Sequence, residues 1–291
     1  MKRILVLPGG GMLGLPQAAA IFALRQMTSR PIHQVADLIA GTSIGGINTL
    51  LIGSDDVDTQ PFFTQDGPVI FRKPWYPNIG LWGSIYGAGP IEERLQARFA
   101  GKTVADLKTN VLVTGMDATS DQPFFLRSWN TSNFFENRGT PLWKVARFTS
   151  AAQHYFPGYQ YGNRVIWDGG NVANNPAREA DEAADALWGR AEPRKFLVLG
   201  CGVSKPGKVD YLNPSAITLL KMMVNMLFEV AAEDVTNDMT AAYGANYVEC
   251  QPTFARQIAI DDASPEALAY LQEAGAEFVK ASRDSLIRWL E

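Results

Sequence analysis

The chain has 291 residues, of which 46% are apolar and 19% charged, and its net charge is −4. This composition is typical of a globular protein with a substantial core, and the negative charge argues against nucleic acid as a partner. The two cysteines, Cys201 and Cys250, are too few for a disulfide framework, so we expect a cytoplasmic protein with at most peripheral contact to a membrane. No Cys/His cluster has metal-ligand spacing, so the sequence predicts no metal and no cofactor, and it leaves the oligomeric state open.

Strand, glycine turn and helix patterns follow one another twice at the start of the chain. Residues 3–7 form a short apolar run that predicts a buried strand, followed by the glycine-rich segment 8–11 and a helix over 15–28. Residues 35–40 predict a second strand, which ends in another glycine turn before a helical run at 46–53. This repetition predicts an α/β fold in which helices pack on a parallel sheet.

The segment 61–90 carries seven aromatic side chains among prolines and glycines, without a clear period. It is either a long loop over the core or an aromatic flap that makes transient contact with a membrane surface, and the sequence leaves both interpretations open. We expect one domain over 1–291, with its motifs within about residues 4–202 and a helical C-terminal third. The later patterns predict strands at 110–118, 123–129, 164–167 and 195–200 and helices at 140–153, 176–188, 215–232 and from Ser264 onward.

The second glycine turn, Gly41-Thr42-Ser43-Ile44-Gly45, has the pattern G-x-S-x-G between a predicted strand and a predicted helix. A nucleophilic serine has to project from a sharp, strained turn, and small residues two positions before and after it allow close approach. The N-terminus of the following helix would direct its N–H groups at developing negative charge. A capping serine in an ordinary turn would have the same pattern, so this motif needs support from other parts of the chain.

The first glycine turn contains Gly9, Gly10, Gly11 and Gly14. One interpretation is a dinucleotide-binding loop, but that motif needs an acidic residue at the end of the next strand, and the next strand ends in the serine turn. We therefore favour an anion hole, in which consecutive glycines direct their N–H groups at a tetrahedral oxyanion. A glycine-rich turn without a ligand is the third possibility.

A third motif, Asp168-Gly169-Gly170, follows a short predicted strand. A serine hydroxyl needs a base, but the α/β-hydrolase order Ser…Asp…His is excluded because His33 and His154 both precede Asp168. A direct pair of Ser43 with Asp168 remains, since the glycines remove side-chain obstruction. Taken alone, Asp-Gly-Gly is more typical of a surface turn.

Together, these motifs resemble those of the patatin-like phospholipase family in kind and in order. Three more segments are similar to family segments: 149–157 with its Ser-Ala-Ala, 174–176 with its Asn-Pro, and 199–202, in which Cys201 replaces a threonine. The resemblance implies a three-layer α/β sandwich related to α/β-hydrolases, with a mainly parallel sheet and helices on both faces. Pro8 and Leu13 depart from the family pattern, which usually has Asp and a basic residue at these positions.

The resemblance also implies a lipid acyl hydrolase of phospholipase A type, which cleaves carboxylic esters through an acyl-enzyme without a metal. Two alternatives stay open: a catalytically inactive lipid-binding relative and, less favoured, a nucleotide-binding protein that uses the 9–14 loop. The expected roles are nucleophile for Ser43, base for Asp168, oxyanion binding for Gly9, Gly10, Gly11 and Ile44, and motif support for Gly14, Gly41, Gly45, Gly169 and Gly170.

Overall fold

A mixed sheet of eight strands forms the centre of the molecule in a computed structural model, which describes residues 1–73, 83–129, 138–202 and 232–291. Hydrogen-bonded neighbours follow the path β5-β6-β3-β2-β1-β7-β8, in which β6 and β2 pair with different parts of β3, and β4 also pairs with β3. The run β3-β2-β1-β7-β8 is parallel, whereas β4, β5 and β6 run antiparallel to their neighbours. The strands are β1 (Lys2–Leu7), β2 (Leu38–Gly41), β3 (Asn110–Asp117), β4 (Gln122–Arg127), β5 (Tyr159–Tyr161), β6 (Arg164–Asp168), β7 (Arg194–Leu199) and β8 (Tyr247–Cys250).

Helices pack on both faces of this sheet, so the predicted α/β sandwich with a mainly parallel sheet is confirmed. A π-helical turn, Phe62–Asp66, precedes α3. Among the described residues, no helix has the length and apolar character needed to cross a membrane. The helices are α1 (Leu15–Thr28), α2 (Ile44–Gly53), α3 (Gly67–Ile70), α4 (Ala88–Phe99), α5 (Leu142–Thr149), α6 (Gly170–Ala173), α7 (Ala177–Trp188), α8 (232–243) and α9 (Pro265–Leu290).

The central strand β1 is buried on both faces, which explains its continuous apolar sequence. Leu5 and Leu7 belong to the layer that contains α1 and α9. Ile4 and Val6 point the other way and pack in the layer that contains α7 and α8. The alternation of side chains along one strand therefore connects the two helical layers through the sheet.

Several predicted elements match the structure, and two short strands were not predicted. The helix α1 begins and ends at the predicted residues, and α9 follows Ser264, whose hydroxyl accepts a hydrogen bond from the Ala267 N–H. The strands β5 and β8, of three and four residues, were missed. We expected a helical C-terminal third, but β8 lies after residue 202, so this part of the chain also contains a strand. Residues 215–231 of the predicted long helix lie outside the described residues.

The described part of the aromatic segment 61–90 contains helical elements and packed rings. It contains the π-helical turn, α3 and the beginning of α4, so it is not one long loop. Phe62, Phe63 and Tyr86 are buried in the core, and the Phe71 ring packs edge-on against Tyr86 at 5.3 Å between centroids. The buried rings of Phe62, Phe63 and Tyr86 are therefore not available for a lipid-facing flap, whereas contact of the segment with a membrane surface stays a prediction. The remaining aromatic residues of the segment, Trp75, Tyr76 and Trp82, lie outside the described residues.

The strands β2 and β6 meet end to end along one edge of β3. Gly41 pairs with Val113, and Asp168 pairs with Gly115. The strand β4 pairs with residues 112–117 and therefore occupies the opposite edge. Since β2 is parallel and β6 antiparallel to β3, the carboxyl ends of both strands converge on Thr114. The fold thus brings the serine turn and the aspartate motif to the same place.

Candidate active site

Ser43 lies in the turn between β2 and α2, with backbone angles of φ 55° and ψ −123°. A positive φ is strained for a residue with a side chain, so the predicted strained turn is present. The Ser43 hydroxyl does not cap α2, and the Ser43 N–H donates a hydrogen bond to Thr149 Oγ1 at 3.0 Å. The hydroxyl is therefore free to serve a purpose other than helix capping.

The glycines around the serine and the aspartate are needed because neighbouring chain segments approach closely. A Cβ atom on Gly45 would lie 1.9 Å from the Leu7 carbonyl oxygen. A Cβ atom on Gly169 would lie 2.0 Å from Thr114 Oγ1. The same restriction applies to Gly41, because a Cβ atom there would lie within 2.6 Å of three atoms of Thr49 and Gly45. Larger residues at these positions would separate the strands that meet at the site.

The hydroxyl of Ser43 donates a hydrogen bond to Asp168 Oδ2 at 2.7 Å, although the two residues are 125 positions apart. The Gly170 N–H donates to the other carboxylate oxygen, Oδ1, also at 2.7 Å. Asp168 is 5% exposed, whereas Ser43 is only half-buried. Burial raises the pKa of the Asp168 carboxyl from 3.8 to about 6, while the hydrogen bonds from Ser43 and Gly170 act in the opposite direction.

A carboxyl group with this pKa is mostly ionised at neutral pH and accepts a proton more readily than an ordinary exposed aspartate. In the described part of the chain, neither His33 nor His154 is hydrogen-bonded to Ser43 or Asp168. The group in contact with the serine hydroxyl that can accept its proton is therefore Asp168.

The glycine-rich loop passes directly beside the serine. A Cβ atom on Gly9 would lie 3.1 Å from Ser43 Cβ, so the absence of a side chain lets the two backbones approach. The Gly9 N–H donates to the Asn174 carbonyl oxygen at 3.2 Å. Gly9 was expected to contribute an oxyanion donor, but this hydrogen bond engages its N–H elsewhere.

The other three expected oxyanion donors differ from Gly9. The N–H groups of Gly10, Gly11 and Ile44 have no hydrogen-bond partner among the described residues. Gly10 and Gly11 are partly exposed, and Ile44 is the first residue of α2. A Cβ atom on Gly14 would lie 3.1 Å from two side-chain atoms of Ile44, which shows how closely the loop packs on α2. The site therefore has unpaired N–H groups from two different elements.

All three supporting sequence segments contact the site through their backbone or side chains. Beyond the Thr149 and Asn174 contacts described above, the Ala151 carbonyl accepts a hydrogen bond from the Asp168 N–H at 3.1 Å. The Leu199 carbonyl accepts one from the side chain of Gln17 at 2.7 Å. The sequence motifs identified the three segments but did not predict these contacts, and they gave no indication of Gln17.

The thiol of Cys201 packs beneath the glycine loop. Cys201 is 3% exposed, and a Cβ atom on Gly10 would lie 2.4 Å from the Cys201 Cβ. Burial raises the pKa of the Cys201 thiol well above its ordinary range, so it does not form the nucleophilic thiolate. Leu13, at the position where the family usually has a basic residue, is also buried in the core. No group of three or more His, Cys, Asp or Glu side chains within the described residues is arranged to hold a metal ion.

Comparison with known proteins decides the family. The sequence model of the family described as patatin-like phospholipase matches residues 5–181. The chain belongs to this family. This patatin-like chain is 31% identical over 200 residues to the cGAMP-activated phospholipase of Pseudomonas aeruginosa (strain BWHPSA011 / Pa011), covering 67% of this chain and 57% of that protein. It is 24% identical over 308 residues to calcium-independent phospholipase A2-gamma of Oryctolagus cuniculus, covering 98% of this chain and 38% of that protein.

The patatin-like chain thus spans 57% and 38% of the lengths of these two relatives. Among solved structures, VipD from Legionella pneumophila is similar with a TM-score of 0.52 and 11% identity, covering 99% of this chain and 66% of that chain. At this identity the likeness concerns the fold alone. The family predicted from the motifs and their order is confirmed.

Proposed function

We propose that this patatin-like protein hydrolyses carboxylic esters of lipids, as an acyl hydrolase of phospholipase A type, with Ser43 as nucleophile and Asp168 as its base. The single observation that carries the proposal is the 2.7 Å hydrogen bond from the Ser43 hydroxyl to the buried Asp168 carboxylate. The names of the two relatives, both phospholipases, support lipids as the substrate class.

In the first step, Asp168 accepts the hydroxyl proton while Ser43 Oγ attacks the carbonyl carbon of the ester. The hydrogen bond from the Gly170 N–H to Oδ1 keeps the other carboxylate oxygen, Oδ2, directed at the serine. Negative charge develops on the former carbonyl oxygen, and the unpaired N–H groups of Gly10, Gly11 and Ile44 are the donors that would stabilise it.

In the second step, the tetrahedral intermediate collapses, and the bond between the acyl carbon and the alcohol oxygen breaks. The proton held by Asp168 passes to the departing alcohol or lysolipid. Water then attacks the acyl-enzyme while Asp168 accepts one of its protons; the bond between the acyl carbon and Ser43 Oγ breaks, Asp168 returns the proton to Oγ, and the fatty acid leaves. Atoms and charge balance over the cycle, and no group outside this site is needed.

Two alternatives are less compatible with the contacts of the site. An inactive lipid-binding relative does not need a strained serine that is hydrogen-bonded to a buried carboxylate. A nucleotide-binding protein would need the 9–14 loop to face a phosphate, whereas Gly9 packs against Ser43 and Gly14 packs against Ile44. We therefore keep these two functions as outcomes of the test.

The test compares wild type, Ser43→Ala and Ser54→Ala on a panel of phospholipids and neutral glycerides. Ser54 is a matched control, because it is a 3% exposed serine at the other end of α2 whose hydroxyl donates to the Leu51 carbonyl. Wild type and Ser54→Ala should release fatty acid and gain one fluorophosphonate adduct by intact mass, whereas Ser43→Ala should do neither. If folded wild type shows neither fatty acid release nor the adduct, an inactive relative is favoured. If it shows neither of these but is stabilised by nucleotides in a thermal-shift assay, nucleotide binding is favoured.

A further inference from the structure

A hydrogen-bonded pair of amide side chains, Gln17 and Asn48, lies beneath the glycine loop, and both residues are 0% exposed. Gln17 Nε2 donates to the carbonyl oxygens of Pro8 at 3.1 Å and Leu199 at 2.7 Å. Gln17 Oε1 accepts a hydrogen bond from Asn48 Nδ2 at 2.9 Å. Asn48 Oδ1 has no partner among the described residues, so the described hydrogen bonding of the Asn48 side chain is directed at Gln17.

The pair connects the two elements that provide the unpaired N–H groups of the site. Pro8 is the residue at which the chain leaves β1 and enters the glycine loop. Asn48 lies on α2, one helical turn after Ile44 and therefore on the same side of that helix. A single buried amide, Gln17 on α1, thus joins the loop and the first turn of α2.

The contact with Pro8 also controls the direction in which the loop begins. The Pro8 carbonyl and the Gly9 N–H belong to one rigid peptide plane. At one end of this plane, Gln17 donates a hydrogen bond to the Pro8 oxygen. At the other end, the Gly9 N–H donates one to the Asn174 carbonyl at 3.2 Å. With this plane held at both ends, the following N–H groups of Gly10 and Gly11 are constrained relative to Ser43.

We propose that Gln17, with Asn48 as its partner, is a positioning residue that sets the oxyanion-binding N–H groups of the loop and of α2 relative to each other. The inference rests on the proposed function. Neither side chain is hydrogen-bonded to Ser43 or Asp168, because the bonds of the pair go to the Pro8 and Leu199 carbonyls, to the Cys201 sulfur and between the two amides. Their effect on the reaction is therefore exerted through the Pro8 carbonyl and through α2.

The central test is Gln17→Met, which keeps the length of the side chain and removes its hydrogen bonds. Misplaced donors stabilise the transition state less, so we expect kcat to fall about 10- to 100-fold while KM changes less than about threefold. A trifluoromethyl ketone forms a hemiketal oxyanion with the serine, so its affinity should fall by the same factor. Binding of the fatty acid product, which has no tetrahedral oxyanion, should stay unchanged.

Leu24→Ala is the control for simple loss of stability. Leu24 is a 0% exposed residue on the same helix, α1, two helical turns after Gln17, and it packs in the layer with α9. We expect this variant to lose thermal stability while its kcat and its ketone affinity stay at the wild-type level. If Gln17 were only structural, Gln17→Met would behave in the same way as Leu24→Ala.

Asn48→Ala supplies an independent variant that removes a single hydrogen bond. It should lower kcat and ketone affinity together, and the double variant should lose no more than Gln17→Met alone, because the two residues act as one unit. A folded Gln17→Met or Asn48→Ala protein with wild-type kcat and ketone affinity would overturn the inference. A wild type that neither releases fatty acid nor reacts with fluorophosphonate would instead overturn the proposed function.

Discussion

Thr149 accepts a hydrogen bond from the backbone N–H of Ser43 at 3.0 Å and so connects the end of α5 to the strained turn that contains the proposed nucleophile. The N–H of a residue that precedes a helix has no partner within that helix. The Thr149 hydroxyl, on a 0% exposed residue, supplies this partner from a neighbouring element. The strained conformation of Ser43 is therefore stabilised from outside its own turn.

Replacing Thr149 should affect both stability and turnover. Thr149→Val keeps the shape but leaves the Ser43 N–H without its partner, which should cost about 1–3 kcal/mol of unfolding free energy and lower kcat. Thr149→Ser is the matched control, because it retains the hydroxyl. Urea denaturation and kcat on one lipid ester measure the two effects. Equal stability and equal turnover of the two variants would show that the hydrogen bond is unimportant.

Removing the charge of Asp168 should abolish most of the turnover without unfolding the protein. In Asp168→Asn, the amide can still bind the Gly170 N–H and the Ser43 hydroxyl, but it cannot accept the proton, so kcat should fall about 10²- to 10⁴-fold. Asp117→Asn is the control, since Asp117 is a 2% exposed carboxylate on β3 that pairs with Arg164 at 3.1 Å. Near-normal turnover of Asp168→Asn would rule out the carboxylate as the base.

The activity should depend on pH through Asp168. The base works only when it is ionised, and its pKa is raised to about 6, so kcat/KM should increase with pH and level off above that value. The measurement is kcat/KM from about pH 4.5 to about pH 8 on an uncharged ester, so that the substrate itself does not titrate. A profile without an inflection in this range would contradict the assignment.

The same raised pKa predicts that the Asp168 carboxyl lowers the free energy of unfolding as pH rises, whereas an aspartate with a lowered pKa increases it. The folded carboxyl, with its pKa of about 6, binds a proton more readily than the unfolded one at 3.8, so the free energy of unfolding falls as pH rises between these values. Across this window, wild type should lose up to about 3 kcal/mol of unfolding free energy relative to Asp168→Asn, whose amide does not titrate there. Denaturant unfolding at several pH values measures the difference. A difference that does not change with pH across this window would contradict this prediction.

Gly45 should tolerate no side chain. In Gly45→Ala the new methyl group would meet the Leu7 carbonyl oxygen at 1.9 Å, so β1 and α2 would have to separate, and the variant should be strongly destabilised or fail to fold. Gly89→Ala on α4 is the control, because nothing lies within 4 Å of its Cβ position. This control should change the free energy of unfolding by less than about 1 kcal/mol, because the following Pro90 disfavours helical backbone in the residue before it and so offsets the helical preference of alanine. Thermal unfolding of both variants tests the contrast.

Local sequence patterns were sufficient for the elements next to the site, because each has its own signal. The apolar run of β1, the glycine turns and the helix over Leu15–Thr28 follow from residues that are close together in the chain. The short strands β5 and β8 have no comparable signal, since they are stabilised by pairing with β6 and β7. The burial of Phe62, Phe63 and Tyr86 from the aromatic segment 61–90 could not be predicted, because an irregular pattern does not reveal which rings belong to the core.

The candidate nucleophile and base were recognisable by motif, but the contacts that hold them were not. The hydrogen bonds of Thr149 to Ser43, of Asn48 to Gln17 and of Gln17 to Leu199 join residues 106, 31 and 182 positions apart. No pattern in one sequence predicts such pairings. The engagement of the Gly9 N–H by Asn174 is a further case, because a run of glycines does not indicate which N–H groups remain unpaired.

The convergence of β2 and β6 on Thr114 also bears on how the protein can change. The separation of Gly41 and Asp168 depends on their register along β3 and not on the length of the chain that joins them. Insertions in the surface connections between β3 and β6 would therefore leave the two reactive side chains in contact. A slip of β6 by one residue would turn the carboxylate to the other side of the sheet and separate it from the hydroxyl. The connections between these strands can thus diversify over generations while the contact between Ser43 and Asp168 is retained.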